Sequence, residues 1–549
     1  MSKAHHARAD QPHRRRNRKA LLVIALFAIA ALAPAILWGV PASRDLQHHF
    51  RLALAYKESF SQYNFYPGWL AEANNGYGDV SLRFYPPGLG FLLAVVRTVI
   101  ESWYATALIA FTLLTLIGGV GVYLWANNFY DSRIAMWAGV IYIFMPYRIN
   151  ELYQSSLLAE YAAAAVLPFA FAFTEKLCRE GGRRNVAGLA ASYALLVLTN
   201  LPMTIIGSYA LVVYLILRID RKNLWPTVAR FAGAMALGLA ASACFWVTVV
   251  AELSWLRPDN ETAFSRVNFI FASFRPKQGD TNIWYGNLVV LATLAMTLPA
   301  LILFRRDESK PRVGFRSLAI FAGFSFLMST ILSFPLWEIL PKLKDVQLPW
   351  RWLAVTSAAC AVLAAASIPR WKEVAQSNRR PLALLAVGCV VASLAFTSHP
   401  IREAKYISGA KLEQVVATVQ GLPSIGPWYP KWVAEKYEVI PQQVSAGERT
   451  VSVSTWDAER RVFQVSAGAA IDARVHTFYY PLWIAAAGGK PLSTRPDQDG
   501  TLLVSLPAEA VTVDLSFHEP PRSKISMIVT FVGVGFILLL VVLREKRKR

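Results

Sequence analysis

Apolar runs of roughly 20 residues, the length needed to cross about 30 Å of hydrocarbon, recur from residue 20 to residue 397 and return once near the end of the chain. Such a pattern leaves few options besides threading a bilayer as helices, because in hydrocarbon each backbone N–H and C=O needs a partner inside the protein. Composition agrees: 55% of the 549 residues are hydrophobic and 17% are charged, where soluble domains carry about 25% charged residues. The net charge of +21 is divided among short clusters between apolar runs, the signature of cytoplasmic loops, and no nucleic-acid partner is expected. Cys178, Cys244, Cys360 and Cys389 all lie in or beside apolar runs, so no disulfide framework is expected for the polar region near the C-terminus.

The basic head, the clusters at 175–184, 218–223, 305–316 and 370–380, and the tail 544–549 all belong on the cytoplasmic side. The first apolar run, behind "RRRNRKA", is read as a retained signal-anchor. An odd number of crossings must then separate residue 41 from residue 175, yet four apolar runs lie between them: 87–100, 103–126, 133–147 and 158–174. The run 87–100 is short, follows Pro86–Pro87 and carries Arg97, so it is read as re-entrant or interfacial. In the alternative, all four cross and the loop 175–184 is misplaced.

The expected fold is a polytopic α-helical membrane protein of about twelve spans, set in a bacterial-type inner membrane with both termini cytoplasmic. Its parts are a basic head 1–19, a transmembrane region 20–397 with a long outer segment 41–102, an extracytoplasmic region 398–523, a last span 524–543 and the tail 544–549. Segment 147–160 also falls outside. Alternating runs at 450–456, 461–467, 474–480, 500–506 and 510–517, divided by Gly, Pro and Asp turns, predict an outer β-sandwich after a mixed lead-in.

The outer segment opens with "SRDLQHHFRLAL" (43–54). On a surface helix Asp45, His48 and His49 stand at i, i+3 and i+4 and share a face, with Arg44 and Arg51 beside it. Two readings stand together: a carboxylate–imidazole–guanidinium site, or a cap at Asp45 with the other groups anchored among headgroups. Downstream, "YNFYPGWLAEANNGYGDVSLRFYPPGLGF" offers aromatic faces suited to sugars or to a membrane interface. Arg83 and Tyr85 there fit either an acceptor groove or a turn. "GPWYPKW" (426–432) offers a sugar platform or an aromatic plug.

The combination "RDLQHHFR…YPGWLAEANNGYGDVSLRFYPPG", "PYRINELYQSSLLAEYAAAAVLPF" and "VQLPWRWLAV" resembles the membrane proteins called 6-pyruvoyl-tetrahydropterin synthase-related. These carry no pterin-synthase zinc motif and are similar to GT-C membrane glycosyltransferases. The resemblance implies transfer of a sugar from a polyprenyl-phosphate donor to a glycan, lipid or protein acceptor at the outer face, with membrane lipid as a further partner. It implies catalytic roles for Asp45, His48 and Glu160, with Glu151 as second choice for the later acid. Where the class often has an acidic pair, this chain has Arg44–Asp45.

By the same resemblance Arg351, Lys342 and Lys344 would hold the donor phosphate. His49, Arg83, Tyr85, Arg148 and Trp350 would line the substrate groove, and a divalent cation (Mg or Mn) would sit between Asp45 and Glu160, with no other cofactor. The chemistry asks for little more: a cation beside the departing phosphate and a base near the acceptor hydroxyl. A non-catalytic binder or transporter of lipid-linked glycan, or an envelope scaffold, are the alternative functions.

Overall fold

The computed structural model describes residues 2–543 except 43, 156, 258–263, 273–280, 304–312, 377–379, 420 and 423–427. The tail 544–549, most of the basic loop 305–316, the Asn-Glu-Thr sequon at 260–262 and the start of "GPWYPKW" therefore lie outside the described residues, as does the Arg44 side chain.

Seven described helices are long and apolar enough to cross a membrane: Trp103–Ala126, Leu158–Glu180, Leu201–Arg218, Arg221–Ala241, Pro349–Trp371, Ala383–Glu403 and Pro521–Val542. Reaching about twelve spans requires shorter helices to cross too. Gly88–Val99, at 12 residues, is only about 18 Å long at 1.5 Å per residue. Ser132–Ile143 is equally short, which corrects the picture of 133–147 as one continuous run. Pro146 cannot continue a helix, so the chain breaks at Phe144–Met145, restarts as Pro146–Asn150 and passes into a π-helical turn at Glu151–Ser155. Asn200 caps the Leu201–Arg218 helix, its side chain accepting from the Met203 N–H at 2.9 Å, so "TNLP" makes a tight hairpin rather than a mid-membrane break.

Several distant segments meet at one end of the helical body. Strand β1 (Val40–Pro41) pairs antiparallel with β2 (Tyr406–Ile407). Gly39, at φ 118°, permits that approach, since a Cβ there would stand 2.3 Å from the Ile407 carbonyl oxygen. The Tyr153 hydroxyl donates to the Ala31 carbonyl at 2.6 Å. The ends of the first helix, segment 147–160 and the start of the C-terminal region thus share one end of the bundle. Helix Arg44–Ser61 follows β1, burying Leu46, Phe50 and Ala53 in the main core and Leu52 and Tyr56 against Leu82 and Ala94.

The C-terminal region is a two-sheet antiparallel sandwich. Its strands are β3 (Val444–Ser445), β4 (Val451–Trp456), β5 (Arg460–Val465), β6 (Ile471–Phe478), β7 (Trp483–Ala487), β8 (Lys490–Leu492), β9 (Thr494–Pro496), β10 (Thr501–Leu506) and β11 (Val511–Phe517). One sheet runs β3-β6-β10-β9 and the other β4-β5-β11-β7-β8. The strands β7, β8 and β9 were not expected from alternation. The Gly488–Gly489 pair between β7 and β8 was their signal, because two-residue glycine loops supply the positive φ that a tight hairpin needs.

The first outer segment is built into this sandwich. Trp69, Tyr77, Val80 and Phe84 are buried with Phe463, Trp483 and Leu515 in one apolar cluster. The Phe478 N–H donates to the Tyr77 carbonyl at 2.8 Å, and the Gly68 N–H donates to Glu459 at 2.7 Å.

Candidate active site

Asp45 lies in the first turn of the Arg44–Ser61 helix and is half-buried. One turn on, His48 and His49 are buried beside Tyr85, with ring centroids 4.7 and 5.6 Å from it. Trp428 stands edge-on to Tyr85 at 6.1 Å. Both ring nitrogens of His48 lack a hydrogen-bond partner among the described residues. Burial, then His49 and Arg51, hold the His48 imidazole well below its ordinary value, and burial pushes His49 down to about 4. Both rings are therefore neutral at neutral pH.

Tyr85 links this group to a second one. Burial and the Asp45 charge push its phenol up while Arg351 pulls it down, which places Tyr85 within electrostatic reach of both residues. Arg351 enters from the short turn Pro349–Trp352 ahead of helix Leu353–Ala375. Its Nε lies 2.9 Å from Glu160 Oε2, and its Nη1 donates to the Val346 carbonyl at 3.0 Å. Glu160 is 1% exposed and also accepts from the Tyr147 hydroxyl at 2.5 Å. Beside it, Arg148 pairs with Glu151 at 3.2 Å, donates to the Tyr161 carbonyl at 2.8 Å and lies over the Tyr161 ring. Burial holds the Glu151 carboxyl well above the usual range; Arg148 opposes that and the adjacent Glu160 adds to it. Two cations and two carboxyls thus lie close together and largely buried, where charges persist only if paired and hydrogen-bonded.

Of the residues that sequence reasoning joined, the structure packs His48 and His49 on Tyr85, one turn beyond Asp45, and pairs Arg351 with Glu160. Three of the remaining candidates are placed elsewhere. Lys342 is 73% exposed and pairs with Asp345 at 3.0 Å, while Lys344 pairs with Glu338 at 2.5 Å, so the two do not join Arg351. Arg83 does not line a groove: its Nε and Nη2 fork onto Glu252 at 2.7 Å each, and Nη1 reaches Glu519. Arg148 is in this buried group but committed to Glu151 and Tyr161, and Trp350 is half-buried next to Arg351.

The aromatic motif acts as a plug. Trp428 stacks on Phe84 at 6.3 Å and the Tyr429 hydroxyl donates to Asn74 at 2.9 Å. A cation between Asp45 and Glu160 would need oxygens that already face Tyr147 and Arg351. Among the described residues no group of three or more His, Cys, Asp or Glu is arranged to hold a metal.

A family model described as "6-pyruvoyl-tetrahydropterin synthase related domain; membrane protein" matches residues 82–402, more than half of the chain. The chain belongs to this family. No curated protein matches it. Among solved structures, the related-domain protein is similar to the arabinofuranosyltransferase AftD from Mycobacteria, with 16% identity and a TM-score of 0.44 over 70% of this chain and 26% of that one. It is also similar to ArnT from Cupriavidus metallidurans bound to undecaprenyl phosphate, with 15% identity and a TM-score of 0.42 over 73% and 76%. The Archaeoglobus fulgidus oligosaccharyltransferase gives 14% identity and a TM-score of 0.41 over 76% and 60%. The chain spans about a quarter of the length of AftD. Likeness this loose carries over neither a site nor a substrate.

For this family member, sequence reasoning missed Tyr147. It sits inside the quoted "PYRINELYQSSLLAE", but its partner Glu160 lies across the turn at 151–155, so no local periodicity pointed from one to the other.

Proposed function

We propose that the protein is a membrane glycosyltransferase that moves a sugar from a polyprenyl-phosphate donor to a glycan, lipid or protein acceptor on the outer face of the membrane. The observation that carries this reading is that His48 and His49, one turn beyond the half-buried carboxylate Asp45, pack on Tyr85, while Arg351, a mostly buried guanidinium, is held by Glu160. Transfer needs those two charges on either side of a reacting carbon.

The acceptor hydroxyl attacks the anomeric carbon and its proton passes to Asp45. The bond from that carbon to the phosphate oxygen breaks, and polyprenyl phosphate leaves with the electron pair. Arg351 receives the developing phosphate charge. A guanidinium has five N–H donors, and among the described residues Arg351 engages Glu160 through Nε and Val346 through Nη1, which leaves capacity for a phosphate oxygen. Glu160 and Tyr147 fix the guanidinium in place, and neutral His48, with both ring nitrogens open, meets the acceptor. The sequence resemblance to GT-C enzymes supports the same assignment.

Purified protein in lipid nanodiscs, given radiolabelled polyprenyl-phosphate sugars and membrane-derived acceptors, is expected to consume donor, and Asp45→Asn is expected to stop it. Undiminished turnover in Asp45→Asn removes that residue as the base. Saturable donor binding without turnover by the parent protein would favour the non-catalytic reading, in which the same groups only hold a lipid-linked glycan.

A further inference from the structure

A cavity of about 250 Å³ lies between helix Arg44–Ser61, the segment that follows it and the β4–β5 turn of the sandwich. Its walls include Trp69 and Trp456, and around its mouth stand Glu58, Gln62, Glu72 and Asp457, all exposed to solvent. A flat indole beside carboxylate and amide groups is the chemistry that recognises a sugar: C–H faces lie on the ring while hydroxyls donate to the acids. The size, just under the about 300 Å³ at the low end of small-molecule sites, suits one or two sugar rings.

The wall behind Trp456 is unusual. Arg461, the cross-strand partner of Trp456, is 1% exposed and wedged between the Trp456 and Trp483 rings at 4.6 and 4.4 Å. Its Nε and Nη1 make no hydrogen bond among the described residues. The acidic groups acting on it are Glu72 and Asp457, both at the mouth of the cavity. A buried cation with open donors costs stability; it does not itself line the cavity, and it backs the Trp456 ring that does.

We infer that this seam cavity is a saccharide-binding subsite for an oligosaccharide segment. Glu58 lies on the same helix as Asp45, roughly 20 Å along its axis at 1.5 Å per residue. The cavity begins nearer, at Arg51, about 9 Å along the axis, so a ligand that fills it and also reaches Asp45 spans several sugar rings. The acceptor of the transferase would then be a chain of several sugars, held at the seam while its end reaches Asp45. That acceptor role rests on the transferase reading; the binding itself does not.

The test uses the full chain in nanodiscs with maltotriose, α-mannotriose and an arabinofuranose trisaccharide as probes, read by saturation-transfer NMR and calorimetry without any donor. At least one probe is expected to bind saturably, and Asp457→Ala combined with Glu72→Ala to weaken it roughly tenfold. Both residues are exposed, so the fold should survive, and an unchanged melting temperature checks this. Asp45→Asn should leave the binding untouched. Binding by none of the three probes overturns the inference, and so does binding that the double variant leaves intact. Because no turnover is measured, failure here leaves the transferase reading standing, and loss of transferase activity leaves this binding expectation standing.

Discussion

The guanidinium of Arg351 and the carboxylate of Glu160 meet at 2.9 Å, one on the turn that opens helix Leu353–Ala375, the other in the first turn of helix Leu158–Glu180. Each would be costly alone in this buried setting. Together, with Tyr147 on the second carboxylate oxygen, they fix how two helices far apart in the chain sit relative to each other.

Replacing Arg351 with Ala strands a buried carboxylate, which typically costs about 3–5 kcal/mol. The variant should melt well below the parent in nanodiscs. Exchanging both partners, Arg351→Met with Glu160→Gln, removes the charges together and should recover most of the melting temperature. Donor turnover should stay lost in both, since neither retains a cation for the phosphate. Recovery of turnover in the double variant would show that the pair serves structure alone.

Asp45 is half-buried at a helix start, so Asp45→Asn should barely alter thermal stability. Loss of a general base typically lowers turnover by roughly 10²–10⁴-fold, and single-turnover assays at saturating donor should show a fall of that order with donor affinity nearly unchanged. A fall in affinity alone would make Asp45 a binding group.

The sequence disclosed the membrane class, the sandwich and most of the cluster around Tyr85, because hydropathy, alternation and helical spacing are local signals. The i, i+3, i+4 spacing put Asp45, His48 and His49 on one helix face but left headgroup anchoring open, and it takes the packing of both rings on Tyr85 to turn the histidines inward. The ion-pair choices were not legible. Arg83 and Arg351 each sit beside aromatic and proline residues in sequence, yet one ties Glu252 and the sandwich together while the other pairs with Glu160. Only the three-dimensional path of the chain decides which acid each finds. The lysines at 342 and 344 show the same limit: their acidic partners, Asp345 and Glu338, are close by in the chain, and proximity won over the expected phosphate.

The histidines predict an acid sensitivity. His49 folds neutral with its value held at about 4 by burial, against about 6.5 in the unfolded chain. Below pH 6.5 the unfolded state binds a proton that the folded state refuses, so this share of stability is present above pH 6.5 and drains away as the pH falls towards 4. The gap corresponds to roughly 3 kcal/mol. Its ring neighbours are His48 and Tyr85, with Arg51 beyond His48 and Asp45 one turn back on the same helix. Melting temperatures measured from pH 7.5 to 4.5 should fall, and His49→Gln should flatten that fall. A parallel slope in the variant would place the acid sensitivity elsewhere.

Glu252 supports the sharpest contrast between two salt bridges of similar length. It is fully buried and accepts Arg83 through two N–H groups at 2.7 Å, the Tyr480 hydroxyl at 2.7 Å and Arg522 at 2.9 Å. A helix of the membrane body, the first outer segment and the sandwich are thereby joined at one carboxylate. Arg460 and Asp514 also meet at 2.7 Å, but both are open to water on the sandwich surface. Glu252→Ala would leave the buried Arg83 with too few acceptors and should cost about 3–5 kcal/mol, read as a lower melting temperature and faster proteolysis where the sandwich meets the membrane body. Asp514→Ala should change neither, because water and salt replace an exposed partner. If the two variants behaved alike, burial would not be what gives the Glu252 junction its strength, and the seam between sandwich and membrane body would have to be held by its aromatic contacts.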